Sequence, residues 1–420
     1  MGKIINFDSG LRLILNTNTK TKSVSVGVYV ANGSAFEDPT VNGISHFIEH
    51  MCFKGTVKRS PLDIAEEMES IGAQINAFTG RMVTAYYSTS LSEHIEKCID
   101  VLSDIFFNAT FTDENIKKEQ KVILEEISMC EDDPQTLCHD LFFLAHFGAH
   151  PLGFSILGTK EIVSSMTRDK LLDYMKERYY PAGTVVSISG NIQKEEARKL
   201  VEKYFESNLV KSGKKLTPVS KVRSKSGILL KRIKPTEQSH IAFTFPALNS
   251  KSRELQAEHV LSNVLGGGMS SRLFQKIRED RGLAYDVYSS SYAFTNNGLF
   301  VISLATNPSN VEQAVGLVKT VLIDLLQNGI TESELNKGKE QIKTGLVLGV
   351  ESSSALMRYS ADRLLFDCEN FKLKKHYDDV QKVTIEDVNA LAKNIFDFNK
   401  VSAAYVGPEI DVNILEAIKA

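Results

Sequence analysis

Ser23-Val24-Ser25-Val26-Gly27-Val28-Tyr29-Val30 alternates apolar residues with mostly small ones, the period of a half-buried strand. About 216 residues later, Ser239-His240-Ile241-Ala242-Phe243-Thr244-Phe245-Pro246 repeats that alternation. A second pair of landmarks keeps the same offset. Ser88-Thr89-Ser90-Leu91-Ser92-Glu93-His94-Ile95 leads into a helical pattern ending near Phe106, and Leu304-Ala305-Thr306-Asn307-Pro308-Ser309-Asn310-Val311 leads into one ending near Leu326. Matched strand-then-helix landmarks at one spacing imply two copies of a single α/β unit. Between them, Asn208 to Gly227 is polar, basic and without periodicity, as in a surface connector.

Composition is consistent with this organisation. A chain of 420 residues exceeds one ordinary core and suggests two or three domains. Hydrophobic residues make up 42% and charged residues 24%, ordinary for a globular protein. The net charge of −3 lacks the basic excess of a nucleic-acid binder. No stretch approaches the ~20 apolar residues of a membrane span. The start, Met1 to Ser9, has no apolar run with a small-residue cleavage site, so no secretory signal is expected. Five cysteines (Cys52, Cys98, Cys130, Cys138, Cys368) form no CxxC, which reads as reduced thiols in a cytosol-like compartment.

The chemistry concentrates in Asn42-Gly43-Ile44-Ser45-His46-Phe47-Ile48-Glu49-His50-Met51-Cys52-Phe53. On a short helix His46 and His50 stand one above the other, a spacing at which two imidazoles close on one zinc ion. Glu49 lies beside that face, placed to take a proton from a water without being a ligand. H-x-x-E-H is the reverse of the H-E-x-x-H signature and needs the same parts. For a third ligand, Glu114 to Met129 reads as a helix on which Glu119 and Glu126 lie two turns apart. One of them could bind the metal while the other orients a histidine, and Glu125 competes with Glu126. His146-Phe147-Gly148-Ala149-His150 repeats the histidine spacing but lacks the glutamate, contains Gly148 and is stopped by Pro151, so it reads as structural. Gly266-Gly267-Gly268-Met269-Ser270-Ser271 lacks the Gly-Lys-Ser/Thr ending of a phosphate loop and reads as a surface loop.

Longer motifs extend the pattern. Gly43 to Met51 is followed by Phe53-Lys54-Gly55-Thr56, Asn76-Ala77-Phe78-Thr79, Val122-Ile123-Leu124-Glu125-Glu126-Ile127, His150-Pro151-Leu152-Gly153, Leu265 to Phe274 and Arg278 to Tyr285. In this order, across essentially the whole chain, they resemble the pitrilysin-type (M16) peptidases, especially the mitochondrial processing peptidase β subunit and its bacterial relatives. The resemblance implies an α+β fold of two homologous domains, each a mixed sheet packed against helices. Residues 1–210 would be the zinc-binding catalytic domain, 211–227 a linker, and 228–420 a copy without metal. In that copy Ser262 and Gly266 stand where His46 and His50 stand in the first. The resemblance also makes Glu126 the third ligand of one zinc ion per chain and Glu119 the acidic helper behind it. Asn76, Ala77 and Phe78 would form an edge strand that takes a peptide by strand addition, Phe53 a wall after the cut, and Arg278 with Tyr285 a pair contacting substrate.

One departure stands out. Asp140 matches one member of the acidic pair that reads an arginine near the cut, but Thr136 occupies the other position. Glu131, Asp132 and Asp133 remain nearby, so basic or extended peptides are expected with weaker arginine reading. The implied activity is zinc-dependent endopeptidase hydrolysis in a closed chamber. The implied assembly is a homodimer with a site shared between protomers, without nucleic acid or membrane, in a bacterial cytoplasm or alternatively a mitochondrial matrix. The rival readings are a structural subunit and a catalytic subunit that needs a silent partner chain.

Overall fold

A computed structural model describes residues 2–209, 213–216, 218–367 and 371–419. Cys368 and connector residues 210–212 and 217 lie outside the described residues. The first sheet contains β1 (Lys3–Asn6), β2 (Arg12–Thr17), β3 (Ser23–Val30), β4 (Gln74–Thr79), β5 (Thr84–Leu91) and β6 (Thr184–Gly190) in the order β1-β2-β6-β3-β5-β4. The second contains β7 (Leu229–Ile233), β8 (Ser239–Pro246), β9 (Ala284–Ala293), β10 (Gly298–Thr306) and β11 (Ser402–Gly407) in the order β7-β11-β8-β10-β9. In each, one pair is parallel (β2 with β6, β7 with β11) and the rest are antiparallel. Apart from β1, the two orders are the same, so the duplication heard in the sequence is a duplication of topology. The fold is α+β with two mixed sheets.

Helices Ile95–Asn108 and Val311–Asn328 follow the second landmark of each copy. Val24, Val26, Val28 and Val30 are buried together with Ile95, Ile99, Leu102 and Ile105 in one core. Each such side chain contributes about 1.5–3 kcal/mol on burial. The expectation that β3 is half-buried is corrected, because both its faces are covered. Helix Ser353–Asp362, more than three hundred residues away in sequence, packs on β3 and β6. It can approach because the residues it meets are small. Ser25 Oγ lies 2.8 Å from Ser353 Oγ, and Ser187 Oγ donates to the Met357 carbonyl at 2.8 Å. A Cβ on Gly27 would stand 3.3 Å from Met357 Cε. The polar half of the alternation is thus a helix-docking face. Helix Pro134–Phe147 covers β8 and β11 in the same way.

Compact packing therefore divides the chain discontinuously. One unit comprises Met1–Ile127, Ser155–Thr217 and Val347–Lys372, and the other Ser128–Phe154, Pro218–Leu346 and Leu373–Ala420. Among the described residues no single helix is long and apolar enough to cross a membrane. Cys52, Cys98 and Cys138 are buried, Cys130 is half-buried, and all four are outside disulfides. The Gly266–Gly268 segment is less of a free loop than expected. Gly266 ends helix Leu255–Gly266 and presses on β9, where a Cβ would sit 2.2 Å from Ser289 N.

Candidate metal centre

Helix α1 (Ile44–Cys52) carries the motif. Ile44, Phe47, Ile48 and Met51 enter the core, and that anchoring turns His46 and His50 to the adjoining face. Their rings lie 4.6 Å apart between centroids. Across from them runs helix Asp113–Asp132, longer than the Glu114–Met129 span read from sequence. Ile116, Glu119, Ile123 and Ile127 form its buried stripe, and Glu126 borders it. Glu125 is exposed, so the competition between the neighbouring glutamates is resolved by helix rotation.

The Glu126 Oε2 lies 3.7 Å from His46 Nε2 and 3.6 Å from His50 Nε2, and the three ligand atoms fall within 4.8 Å of one another. These distances are too long for hydrogen bonds. Burial, then His50, pushes His46 down to about 3, so its contact with Glu126 is no ion pair. Glu119 Oε2 lies 3.1 Å from His50 Nδ1, which assigns the ring proton to Nδ1 and leaves Nε2 with a lone pair. His50 Nε2 and Glu126 Oε2 thus turn lone pairs toward a neutral His46 ring. A tetrahedral ion with ligands at ~2.1 Å spaces them by ~3.4 Å, close to the two separations between Glu126 and the histidines. Two imidazole nitrogens and one carboxylate oxygen suit zinc and leave a fourth position open. The residues present fit the ion.

Around this cluster stand groups that tune it. Burial would raise Glu119, but hydrogen bonds from His50 and Lys54 and the Lys54 charge hold its carboxyl below the usual range. Lys54 Nζ lies 2.8 Å from Glu119 Oε1. Burial raises Glu49, and a hydrogen bond donated by Thr79 Oγ1 to its Oε2 partly opposes this. Lys54 and Thr79 were missed as site residues. Both lie inside motifs quoted above, but only the fold shows which carboxylates they meet.

β4 is an edge strand, as expected. Asn76, Ala77 and Phe78 are present there with differing orientations. Ala77 packs with the core of α1, while Phe78 turns its ring beneath Arg358, whose Cζ is 4.3 Å from the centroid. Phe53 is half-buried beside Tyr86, 6.4 Å between ring centroids.

Three site residues belong to the other unit. Arg278 lies on a π-helical turn, Phe274–Glu279, its Cζ 4.7 Å from the Phe274 ring and 4.8 Å from that of Tyr285. Tyr285 is 75% exposed, so this stacked pair is open to a ligand. Asp140 sits on helix Pro134–Phe147 with its Oδ1 3.8 Å from His139 Nδ1. Thr136 belongs to that helix's cap, its amide donating to Asp133 at 3.0 Å. Of the decoy pair, His146 is fully buried and His150 Nδ1 accepts from Leu152 N.

Comparisons with known proteins point to one peptidase family. The family described as Insulinase (Peptidase family M16) matches residues 12–160, and Peptidase M16 inactive domain matches residues 165–342. The uncharacterized zinc protease YmxG of Bacillus subtilis is 40% identical over 92% of this chain and 94% of its own. An uncharacterized zinc protease of Mycobacterium tuberculosis is 35% identical over 95% and 91%. The crystal structure of a protease from Helicobacter pylori superposes with a TM-score of 0.90 at 20% identity, covering 97% of this chain and 99% of that one. A peptidase M16 inactive domain from Pseudomonas fluorescens gives 0.89 at 20% identity, with 98% of each chain covered.

Proposed function

The chain belongs to peptidase family M16, and on that premise we propose that it is a zinc-dependent endopeptidase acting on extended, basic peptides. The observation that carries the proposal is the convergence of two imidazole nitrogens, from His46 and His50, and one carboxylate oxygen, from Glu126, within 4.8 Å of one another. Zinc held there supplies Lewis acidity toward a water and the scissile carbonyl. Glu49 receives a proton from the attacking water and delivers it to the leaving amine. Thr79 engages Oε2, which leaves Oε1 for that proton. Burial favours the protonated form of Glu49 and so eases uptake.

The peptide adds to the free edge of β4 through the backbone of Asn76, Ala77 and Phe78. Phe53 bounds the far side of the cut, Asp140 attracts basic residues, and Arg278 with Tyr285 steadies the peptide carbonyls. That pair acts from a second copy of the chain, which makes the enzyme a homodimer with a shared site.

Metal analysis and hydrolysis of a basic fluorogenic peptide, wild type beside Glu49→Gln, test the activity. One zinc per chain in both, with the variant's kcat reduced by about 10²- to 10⁴-fold, is the expected outcome. Equal turnover in both refutes the role of Glu49. Mixing Glu49→Gln with an Arg278→Ala, Tyr285→Phe chain tests the shared site, since co-assembly without recovered activity excludes it.

A further inference from the structure

Glu37 is a carboxylate only 2% exposed, on the segment that precedes α1. Its Oε2 accepts from Asn42 Nδ2 at 2.9 Å and from the Gly43 amide at 2.7 Å. Its Oε1 accepts from the Ser45 amide at 2.9 Å. Burial pushes the Glu37 carboxyl up from its ordinary range, and these partners, all donors, oppose that shift and favour the anion. Gly43 and Ser45 belong to the amides that a helix leaves unpaired at its start, and α1 has no side-chain cap of its own. Glu37 therefore caps α1 from outside it and places a negative charge at the helix's positive end. The same knot reaches further, since Asn42 Nδ2 also donates to the Ser155 carbonyl at 3.0 Å. Gly43 is held at a φ of 93° against Leu157, whose carbonyl oxygen would lie 2.5 Å from a Cβ.

The two histidines differ in what aims them. His50 is oriented by Glu119 through its Nδ1. His46 Nδ1 is buried without a hydrogen-bond partner among the described residues, so its ring takes direction from packing and from the backbone that carries it. That backbone is the residue immediately after Ser45. We propose that Glu37 is a positioning residue that fixes the first turn of α1 and thereby aims His46 at the metal, as Glu119 does for His50. The inference rests on the metal reading above.

Glu37→Gln keeps the shape but turns an amide N–H toward donors. In the metal-free protein, hydrogen exchange is expected to quicken at Gly43 to Phe47 and to stay unchanged in helix Ile95–Asn108. Chelator competition is expected to show zinc bound about 10- to 100-fold more weakly. The conservative variant Glu37→Asp, which retains the charge, should recover part of both effects and carries the same readouts if Glu37→Gln fails to fold. Unchanged exchange in α1, or a variant that binds zinc as tightly as the wild type, overturns the positioning role. So does exchange that quickens throughout the unit, or loss of fold in both variants, because Glu37 would then hold the domain rather than the helix start. A wild type that binds no zinc overturns the metal reading itself, and the aim with it.

Discussion

Helix α1 and helix Leu255–Gly266 follow equivalent strands, β3 and β8, and face equivalent edge strands, β4 and β9. One carries a metal cluster and the other forms a seam. Where the first has His46, Glu49 and His50, the second has Ser262, Leu265 and Gly266. Ser262 Oγ donates to the Ser289 carbonyl at 3.1 Å, and Ser289 Oγ donates to the Ser262 carbonyl at 2.8 Å. Gly266 lies flush on the β9 backbone, and Leu265 is fully buried. Small residues let the helix collapse onto its edge strand, whereas imidazoles hold the corresponding space open. In α1 a hydrogen bond to the edge strand runs between side chains, Thr79 to Glu49. The same topology thus yields a site or a seam according to side-chain volume at two helical positions.

The largest test of that contrast is to graft the pair, Ser262→His with Gly266→His. The Cβ at 266 would meet Ser289 N at 2.2 Å, so the seam must open. The expected result is a loss of about 3 kcal/mol or more in urea unfolding, without a second zinc bound. A stable variant that binds two zinc ions would break the comparison.

Buried histidines sharpen it next. His146 in the second unit faces no ligand set, and burial pushes it down to about 4 against weak opposition from the Gly298 backbone. An unfolded histidine titrates near 6.5, so below that pH the unfolded chain binds a proton that the folded chain refuses. Stability is therefore lost as pH falls from about 6.5 toward 4, by about 3 kcal/mol in total from this residue. His146→Leu should remove that part of the slope when unfolding is compared at pH 7 and pH 5. An identical slope in the variant would rule the histidine out as its source.

The smallest effect concerns the first unit's reach to its edge strand. Thr79→Val removes a bond that lowers the Glu49 pKa, so that pKa should rise and the acid limb of kcat should move to higher pH. At about 1 kcal/mol for the bond, kcat near the limb falls by about 5-fold. Zinc content should be unchanged. A pH profile superimposable on the wild type would show that Thr79 does not act through Glu49.

Much of this was legible in the residues. Period-two alternation located β3 and β8 with the bounds the structure has, because a strand's pattern is local. The i, i+4 spacing put His46 and His50 on one face for the same reason. Spacing left Glu126 and Glu125 open and the family resemblance pointed to Glu126, which the helix's rotation against α1 brings to the imidazoles, while the partners of Glu49 and Glu119 needed contacts between separate elements. The covered second face of β3 was hidden because its helix arrives from residues 353–362. The role of Glu37 depends on the turn that brings its carboxylate onto the amides of Gly43 and Ser45, and that of Ser262 with Gly266 on the approach of the β9 backbone at Ser289.

The sequence by itself determined the duplication, the motif helix and the types of atom offered to a metal, all of which follow from periodicity and donor chemistry over short spans. Only the tertiary structure decided which helix covers which sheet, which groups engage Glu49 and Glu119, and where space is left for side chains. Those outcomes depend on packing between distant segments, and close-packed interiors allow one arrangement that no local pattern encodes.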